Sequence, residues 1–276
     1  MSGPILFGLL RRGLPAALAL LPLPALAQGM SVDEAKAEGT VRIGIQADNQ
    51  PWGFLDSTGN QDGFDADMGR AFAEHLGVEV EFVPMAVANR IPALTTGVVD
   101  VLFASVGMTP ERAQSIQYSR PYASNILYVV GPVGTEMDDV ADLAGLSVGV
   151  PNSAPMDTIL TAEAPEGTDI LRFDDDAANI QALVSGQVQA VGANQFYMQR
   201  VEAAAPGAFE NKFEIGQLYQ GAATRLGEAD WNAELNAFLE AYLGSEEYKA
   251  SYNGWLEMDP PAYPDAVEGV PFTVQQ

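Results

Sequence analysis

Short runs of β-branched and other apolar residues alternate along the chain with longer stretches in which apolar residues recur every three or four positions. The first run, Thr40–Gln46, has the composition of a buried strand, and the stretch Phe64–Leu76 carries apolar residues on one helical face and ends before Gly77. Strands that alternate with helices in this way are typical of α/β folds with mainly parallel strands. The pattern therefore predicts an α/β protein.

The alternation occurs twice, on either side of an extended apolar segment at 125–130. The first set continues with strands at 78–83 and 99–104 and a helix at 89–96. The second set has strands at 147–150, 169–172 and 188–193 and helices at 155–164, 177–185 and 195–205. The last third adds a strand at 213–219, an amphipathic helix at 231–243 and a proline-rich tail. Two sets of similar size predict two lobes rather than one large sheet.

The first 27 residues have the layout of a secretory signal peptide. Arg11 and Arg12 form a basic start, an apolar stretch follows at 14–23, and Ala25-Leu26-Ala27 is a small-x-small cleavage site. The apolar stretch is short and broken by prolines, which disfavours a membrane anchor, and no later run reaches the length of a membrane span. We therefore expect an exported protein of the periplasm that is not membrane-anchored and whose mature chain begins near Gln28.

The charge balance excludes several classes of function. Among 276 residues there are 37 acidic and 13 basic side chains, for a net charge of −24. Such a chain lacks the clustered cations that bind nucleic acid or anionic lipid. With one histidine and no cysteine, it offers neither a thiolate nucleophile nor the usual ligands of zinc. The sequence thus predicts no nucleic-acid partner, no metal and no cofactor.

Two of the few arginines occupy unusual positions. Arg112 follows Thr109-Pro110, a good helix start, and Arg90 follows Asn89, another plausible N-cap. A cation in the first turn of a helix opposes the helix dipole, so something negative could lie between the two side chains. An arginine fork and a helix N-terminus both bind carboxylates well. The alternative is that both arginines are solvated or paired structurally.

Other polar clusters have simpler explanations. The acidic loop at 56–63 departs from a calcium loop at its glycine and final glutamate positions, and a turn explains it better. The run Asp174-Asp175-Asp176 precedes a helix and is expected to supply its cap and first-turn charge. His75 lies near the end of an amphipathic helix, where a structural role fits.

Six stretches in order resemble the family 3 extracellular solute-binding proteins, the polar amino-acid receptors of ABC importers. The resemblance covers residues 40–256 and is carried by the stretches Gln50-Pro51-Trp52-Gly53-Phe54, Gly63-Phe64-Asp65-Ala66-Asp67-Met68, Asn89-Arg90-Ile91-Pro92-Ala93-Leu94 with Gly97 and Val99-Asp100, Met108-Thr109-Pro110-Glu111-Arg112, Tyr118-Ser119-Arg120-Pro121-Tyr122, and Gly149-Val150. Each stretch alone is weak, but six in sequence at the family's spacing are specific.

The resemblance implies a two-lobe periplasmic-binding-protein type II fold of the α/β class, with two crossing hinge strands near 127–131 and 217–223. Lobe 1 would comprise residues 28–128 and 222–276, and lobe 2 residues 129–221. It further implies a monomeric binding protein, not an enzyme, that passes a small solute to an ABC transporter permease in the inner membrane.

The resemblance also implies which residues contact the solute. Arg112 matches the arginine that clamps the α-carboxylate of the ligand, and Ser105 matches a small residue beside it. Arg90 matches an arginine that meets the second carboxylate in receptors for acidic amino acids. Ser153 and Ala154 match a loop of lobe 2 that reaches the carboxylate from the other side.

Several positions depart from the family pattern. Gln46 and Asn194 replace the aspartates that usually hold the ligand ammonium, and Asn49 replaces an aromatic residue that stacks on the ligand. Gly107 replaces a hydroxyl residue near the carboxylate, whereas the aromatic Trp52 is kept and either lines the cleft or packs beneath it. A carboxylate clamp thus remains while the amine clamp is weakened.

We therefore expect a small carboxylate-bearing or zwitterionic ligand, such as a modified amino acid or a dicarboxylate. Two alternatives stay open. The chain could be a lyase on the same fold, similar to cyclohexadienyl dehydratase, which would need an acid of raised pKa in the cleft. It could also be a ligand-sensing or assembly protein whose binding site has eroded.

Overall fold

A computed structural model describes residues 1, 3 and 29–274 of the chain. Apart from two residues, the predicted signal peptide at 1–27 lies outside this described part. Within the described part, no helix is both long and apolar enough to cross a membrane.

The described chain folds into helices and strands that alternate in both halves. The helices are α1 (Val32–Glu38), α2 (Phe64–Leu76), α3 (Arg90–Thr95), α4 (Pro155–Glu163), α5 (Asp176–Val184), α6 (Tyr197–Ala204), α7 (Ala229–Tyr242) and α8 (Glu246–Leu256). The strands are β1 (Thr40–Gln46), β2 (Asp48–Asn49), β3 (Gly53–Leu55), β4 (Gln61–Asp62), β5 (Glu79–Met85), β6 (Val101–Leu102), β7 (Ile116–Pro132), β8 (Ser147–Pro151), β9 (Asp169–Phe173), β10 (Ala190–Asn194) and β11 (Phe209–Arg225).

Eight strands form one sheet in the order β5-β1-β6-β11-β7-β10-β8-β9. The strands β5, β1 and β6 run parallel to one another on one side, as do β10, β8 and β9 on the other. Between them, β7 and β11 pair antiparallel along almost their whole length, from Arg225 opposite Ile116 to Phe209 opposite Pro132. We call the half with β1, β5 and β6 lobe 1 and the half with β8, β9 and β10 lobe 2. The two-lobe α/β fold is thereby confirmed.

The two crossing strands are longer than the sequence pattern predicts. Each has 17 residues, whereas the predicted strands covered only 125–130 and 213–219. The outer half of β11 alternates exposed and half-buried positions and carries charged residues, so its apolar signal is weak. Where along these strands one lobe gives way to the other stays a prediction.

One of the two predicted helix starts is wrong. The turn at Arg112–Gln114 is a single 3-10 turn, although Thr109 Oγ still accepts the backbone N–H of Arg112 at 3.2 Å. Asn89 occupies the N-cap position of α3 and Arg90 is the first residue of that helix, as predicted, although the Asn89 side chain makes no capping hydrogen bond. The helix-dipole effect expected from the sequence therefore applies to Arg90 and not to Arg112.

Each lobe has its own hydrophobic core. In lobe 1, α2, α7 and α8 cover the sheet with aromatic side chains, among them Phe72, which packs against Trp231 and Phe103. The helix α8 was not predicted, although Ser245 caps it by accepting the backbone N–H of Tyr248 at 3.0 Å. In lobe 2, α4 and α5 pack on β8 and β10.

The remaining polar clusters fold as predicted. Asp56 closes the turn between β3 and β4, since its Oδ1 accepts the backbone N–H groups of Thr58 at 2.7 Å and Asn60 at 2.9 Å. Asp175 caps α5 by accepting the N–H of Ala178 at 2.7 Å. His75 lies in the last turn of α2 with Nε2 3.4 Å from Glu234.

Candidate functional site

A small cavity lies between the lobes, beside the crossing strands. Lobe 1, lobe 2 and the crossing strands all contribute to its wall. The lining residues are Gln46, Asn49, Val87, Arg90, Ser105 and Gly107 from lobe 1, Ala154, Pro155, Met156, Asp176 and Asn194 from lobe 2, and Asn125, Leu127, Leu218 and Gln220 from β7 and β11. Concave sites with a few convergent polar groups are typical of small-molecule binding.

Strand ends position the polar residues of this wall. Gln46 is the last residue of β1, Asn194 is the last residue of β10, and Ser105 follows β6. The carboxyl ends of parallel strands meet at one edge of a sheet, and this edge is where α/β proteins bind ligands. Because the two lobes present these edges to each other, residues far apart in sequence surround one space.

Arg90 is a buried cation held against the cavity. Its Nε donates to Val87 O at 3.0 Å, and its Nη1 donates to Ala104 O at 2.7 Å and Ser105 O at 3.1 Å. Burial, reinforced by the positive charge of Arg112, lowers the pKa of Arg90 to about 9, while Asp176 acts in the opposite direction. The guanidinium therefore remains charged at neutral pH, and three carbonyl oxygens fix its orientation.

Arg112 lies outside the cavity wall and bridges the lobes instead. Its Nη1 donates to Gly107 O at 3.0 Å, and its Nη2 donates to Ser153 O of lobe 2 at 2.6 Å. Of the two predicted carboxylate-binding arginines, only Arg90 lines the cavity. In this closed arrangement both arginines are structurally paired with backbone carbonyls, which was the alternative left open by the sequence.

A chain of carboxamides crosses between the lobes. Asn194 Nδ2 donates to Asn49 Oδ1 at 3.0 Å, and Asn49 Nδ2 donates to Gln46 Oε1 at 3.0 Å. Asn194 Oδ1 in turn accepts the backbone N–H of Phe196 at 2.9 Å. The three amides at the positions that depart from the family pattern thus pair with one another. Carboxylates could not form such a chain, because they have no N–H group to donate.

Asp176 is a cavity residue that the sequence analysis missed. It is buried, and its carboxylate accepts the hydroxyl of Tyr197 at 2.8 Å and lies 3.6 Å from Arg200 Nη1. From its position in the sequence, Asp176 was expected only to supply negative charge to the first turn of α5. Its place in the cavity wall follows from the packing of the lobes, which no local pattern reports.

Asp48, Asn49, Asp176 and Arg200 form a second contact between the lobes, which we call the latch. Asp48 of lobe 1 accepts the backbone N–H groups of Asp176 at 2.8 Å and Ala177 at 3.3 Å, at the start of α5 in lobe 2. Arg200 of lobe 2 donates to Asp48 O at 2.7 Å and to Asn49 Oδ1 at 3.3 Å. Burial, followed by the charge of Asp176, raises the pKa of Asp48 to about 6.

Ser105 and Gly107 line the cavity in distinct ways. Ser105 has a positive φ of 50° and its Oγ accepts Gln220 Nε2 at 2.8 Å. A Cβ at Gly107 would lie 3.1 Å from Leu218 Cδ1 and 3.2 Å from Pro155 Cγ, so the cavity is tight at this point. Gly107, which replaces the hydroxyl residue of the family, thus lies where lobe 2 packs closely against lobe 1.

Seven of the ten predicted ligand contacts line the cavity, namely Gln46, Asn49, Arg90, Ser105, Gly107, Ala154 and Asn194. Arg112 and Ser153 do not line the cavity and are hydrogen-bonded to each other. Trp52 lies in the core of lobe 1, where it is fully buried and packs edge-on against Phe64 at 5.9 Å and Phe196 at 5.6 Å. Of the two placements left open for Trp52, the structure has the one beneath the cleft.

The fold is that of a family of solute receptors. The family model described as bacterial extracellular solute-binding proteins, family 3, matches residues 41–258, and the chain belongs to this family. Among curated proteins, an L-arginine-binding protein of Pseudomonas aeruginosa is 28% identical over 253 residues, which are 88% of this chain and 94% of the relative.

Solved structures agree with this assignment. A mutant of ArgBP from T. maritima superposes with a TM-score of 0.77 at 27% identity, covering 83% of this chain and all of the other. The ancestral amino acid-binding protein AncCDT-1, a precursor of cyclohexadienyl dehydratase, superposes with a TM-score of 0.73 at 28% identity, covering 81% of this chain and 98% of the other. The resemblance stated from the sequence motifs is confirmed.

Proposed function

We propose that this chain is the solute-binding component of an ABC importer and that it captures a small amino acid or amino-acid-like carboxylate between its lobes. The observation that carries the proposal is a cavity walled by both lobes in which a fixed guanidinium, Arg90, and a carboxylate, Asp176, are both buried. A zwitterion matches such a pair of opposite charges.

Arg90 is the proposed carboxylate partner. It is the cation of the described cavity wall, and its Nε and Nη1 are already used on backbone carbonyls, so its remaining N–H groups are the ones that serve the solute. Arg112 adds positive charge from behind the wall and ties Ser153 of lobe 2 to lobe 1. A solute in the cavity contacts both lobes, so it stabilises the closed arrangement by its preference for that state.

The cellular location and the permease partner are proposed from the family. Named relatives include periplasmic amino-acid receptors of ABC transporters, such as one from Sinorhizobium fredii that is 25% identical over 274 residues. We place the mature protein in the periplasm, after removal of residues 1–27, as a monomer that docks in its closed form on an inner-membrane permease. The predicted export signal and the family membership support this placement.

Mass spectrometry of the solute released by mild unfolding of the purified protein tests the proposal directly. The solute identified should stabilise the refolded protein against heat, because ligand that binds only the native state raises the unfolding free energy. Arg90→Met should weaken its binding by about 3 kcal/mol or more, since one partner of a buried ion pair is lost.

The matched control is Arg70→Met, which removes an exposed arginine far from the cavity that pairs with Asp67 at 3.1 Å. It should leave solute affinity unchanged. If Arg90→Met binds the solute as tightly as the unmodified protein, the assignment of the carboxylate partner is wrong. If a broad panel of metabolites yields no binder, the eroded-site alternative is supported instead.

The likeness to an ancestral precursor of cyclohexadienyl dehydratase keeps the enzymatic alternative testable. The carboxylate in the described cavity wall is Asp176, which already accepts the Tyr197 hydroxyl and lies beside Arg200. We expect the purified protein to bind its solute without converting it. Turnover of prephenate or arogenate would overturn this expectation.

A further inference from the structure

Two cavity-lining residues of the crossing strands each carry an unpaired side-chain oxygen. Asn125 in β7 and Gln220 in β11 both line the cavity, and the two residues are only 7% and 1% exposed. Among the described residues, Asn125 Oδ1 and Gln220 Oε1 are buried side-chain atoms that have no hydrogen-bond partner. Nearly all buried polar atoms in folded proteins are paired, so two orphan acceptors on one cavity indicate a missing donor.

Both acceptors are held in place. Gln220 Nε2 donates to Ser105 Oγ at 2.8 Å, which fixes the side chain and leaves the carbonyl oxygen free. Asn125 lies opposite Leu218 in the antiparallel ladder of β7 and β11, so its backbone is fixed by strand pairing. Leaving such acceptors unpaired costs free energy, which a donor on the solute would recover.

The hydrogen bonds of the other polar side chains in the cavity wall do not reach these oxygens. Asn49 and Asn194 donate along the carboxamide chain between the lobes, and Arg90 uses Nε and Nη1 on backbone carbonyls. The two orphan oxygens therefore suit a group that brings at least two N–H donors. An ammonium group has three donors and no acceptor.

We propose that the α-ammonium of the solute binds between Asn125 Oδ1 and Gln220 Oε1. This inference rests on the proposed function and names the amine subsite of the same cavity. Two neutral oxygens on the crossing strands thereby replace the carboxylates that are absent at Gln46 and Asn194. Asp176 is the carboxylate of the same described wall.

The test compares paired probes on paired variants by calorimetry. The probes are the standard L-amino acids and, for each one that binds, the carboxylic acid that lacks its α-amino group. Asn125→Leu removes the orphan oxygen of β7 at nearly constant shape. Gln220→Met removes the orphan oxygen of β11 together with the Nε2 donor to Ser105 Oγ. Asn194→Leu is the matched control, because its oxygen lies at the same cavity but already accepts the Phe196 N–H.

We expect Asn125→Leu to weaken binding of the amino acid by about tenfold to a hundredfold, the usual value of a hydrogen bond to a charged group. Binding of the desamino acid should change by less than threefold, because it has no donor for that oxygen. The unliganded variant should melt no earlier than the unmodified protein, since an unpaired buried acceptor has been removed. Asn194→Leu should weaken both probes alike.

Three outcomes overturn the inference. The first is equal loss of both probes in Asn125→Leu and Gln220→Met. The second is unchanged amino-acid affinity in both variants. The third is a desamino acid that binds the unmodified protein as tightly as its amino acid. In each of these cases a solute still binds, so the proposed function stands; if neither set of probes binds, the proposed solute class fails and the inference fails with it.

Discussion

The latch carboxylate Asp48 should make solute binding depend on pH in a defined direction. In the closed arrangement burial, with the negative charge of Asp176, raises the pKa of Asp48 to about 6 from an ordinary value of 3.8. When the lobes separate, Asp48 loses these neighbours and its pKa returns toward the ordinary value. The closed state therefore binds a proton more tightly than the open state between about pH 4 and 6.

The sign of the effect follows by linkage. Lowering the pH through 6 protonates Asp48 in the closed state first, so closure and solute affinity should rise as the pH falls toward 4. A difference of about two pKa units corresponds to about 3 kcal/mol. Because Asp48 keeps partial access to solvent, we expect about 1 to 2 kcal/mol, or about tenfold in affinity.

Asp48→Asn separates the charge from the hydrogen bonds. Asparagine keeps an oxygen that can accept the N–H groups of Asp176 and Ala177, but it carries no charge to desolvate. At pH 7.5 the variant should bind the solute about tenfold more tightly than the unmodified protein, and its affinity should lose the dependence between pH 4 and 6.

The assay is calorimetric titration of the solute from pH 4.5 to 7.5. Asp56→Asn is the control, because it removes one carboxylate from an exposed turn of lobe 1 whose partners are Thr58 and Asn60. It should follow the unmodified protein at every pH. If Asp48→Asn and the unmodified protein show the same slope, closure does not desolvate Asp48 and the reasoning is refuted.

Three further predictions follow from single contacts. Arg112→Met loses the bond to Ser153 O across the lobes and should weaken solute binding about tenfold by calorimetry; equal affinity would contradict the bridge. Burial raises the pKa of Asp65 from 3.8 to about 7, so Asp65 lowers the free energy of unfolding progressively as the pH rises from about 4 to 7. Asp65→Asn should therefore raise the free energy of unfolding in urea at pH 8 by about 1 to 3 kcal/mol, and this gain should shrink steadily as the pH falls toward 4. Gly107→Ser should wedge Pro155 away and weaken binding, while the melting temperature of the solute-free protein stays unchanged.

Local patterns predicted well the elements whose signals are local. The strand β1 and the helix α2 have the predicted bounds, because β1 is a continuous apolar run and α2 combines a one-sided apolar face with a terminal glycine. The helix α8 was not predicted, because its buried Tyr248, Tyr252 and Leu256 are spaced among polar residues. The two ends of β11, at 209–212 and 220–225, were not predicted, because pairing with β7 and not their own composition makes them part of the strand.

The site shows the same limit. The two arginines were singled out by an argument about helix dipoles that applies to Arg90, the first residue of α3, but not to Arg112. Both are buried, and each donates to backbone carbonyls. Asp176, Asn125 and Gln220 were missed because their place in the wall depends on how two lobes meet across the crossing strands. Long-range packing of this kind leaves no periodicity in a sequence.

Asn125 and Gln220 lie on strands shared by both lobes. In the proposed subsite, the residues that set the association rate of the solute therefore differ from those that set its residence time. Pairing between β7 and β11 holds these two residues on the strands that both lobes share, so in the proposed amine subsite they are available to an arriving solute before any contact with lobe 2 forms. Substitutions on the crossing strands should therefore alter the association rate, whereas those in the latch should alter the residence time. Such a protein can release its solute by opening the latch alone, while Asn125 and Gln220 keep their positions.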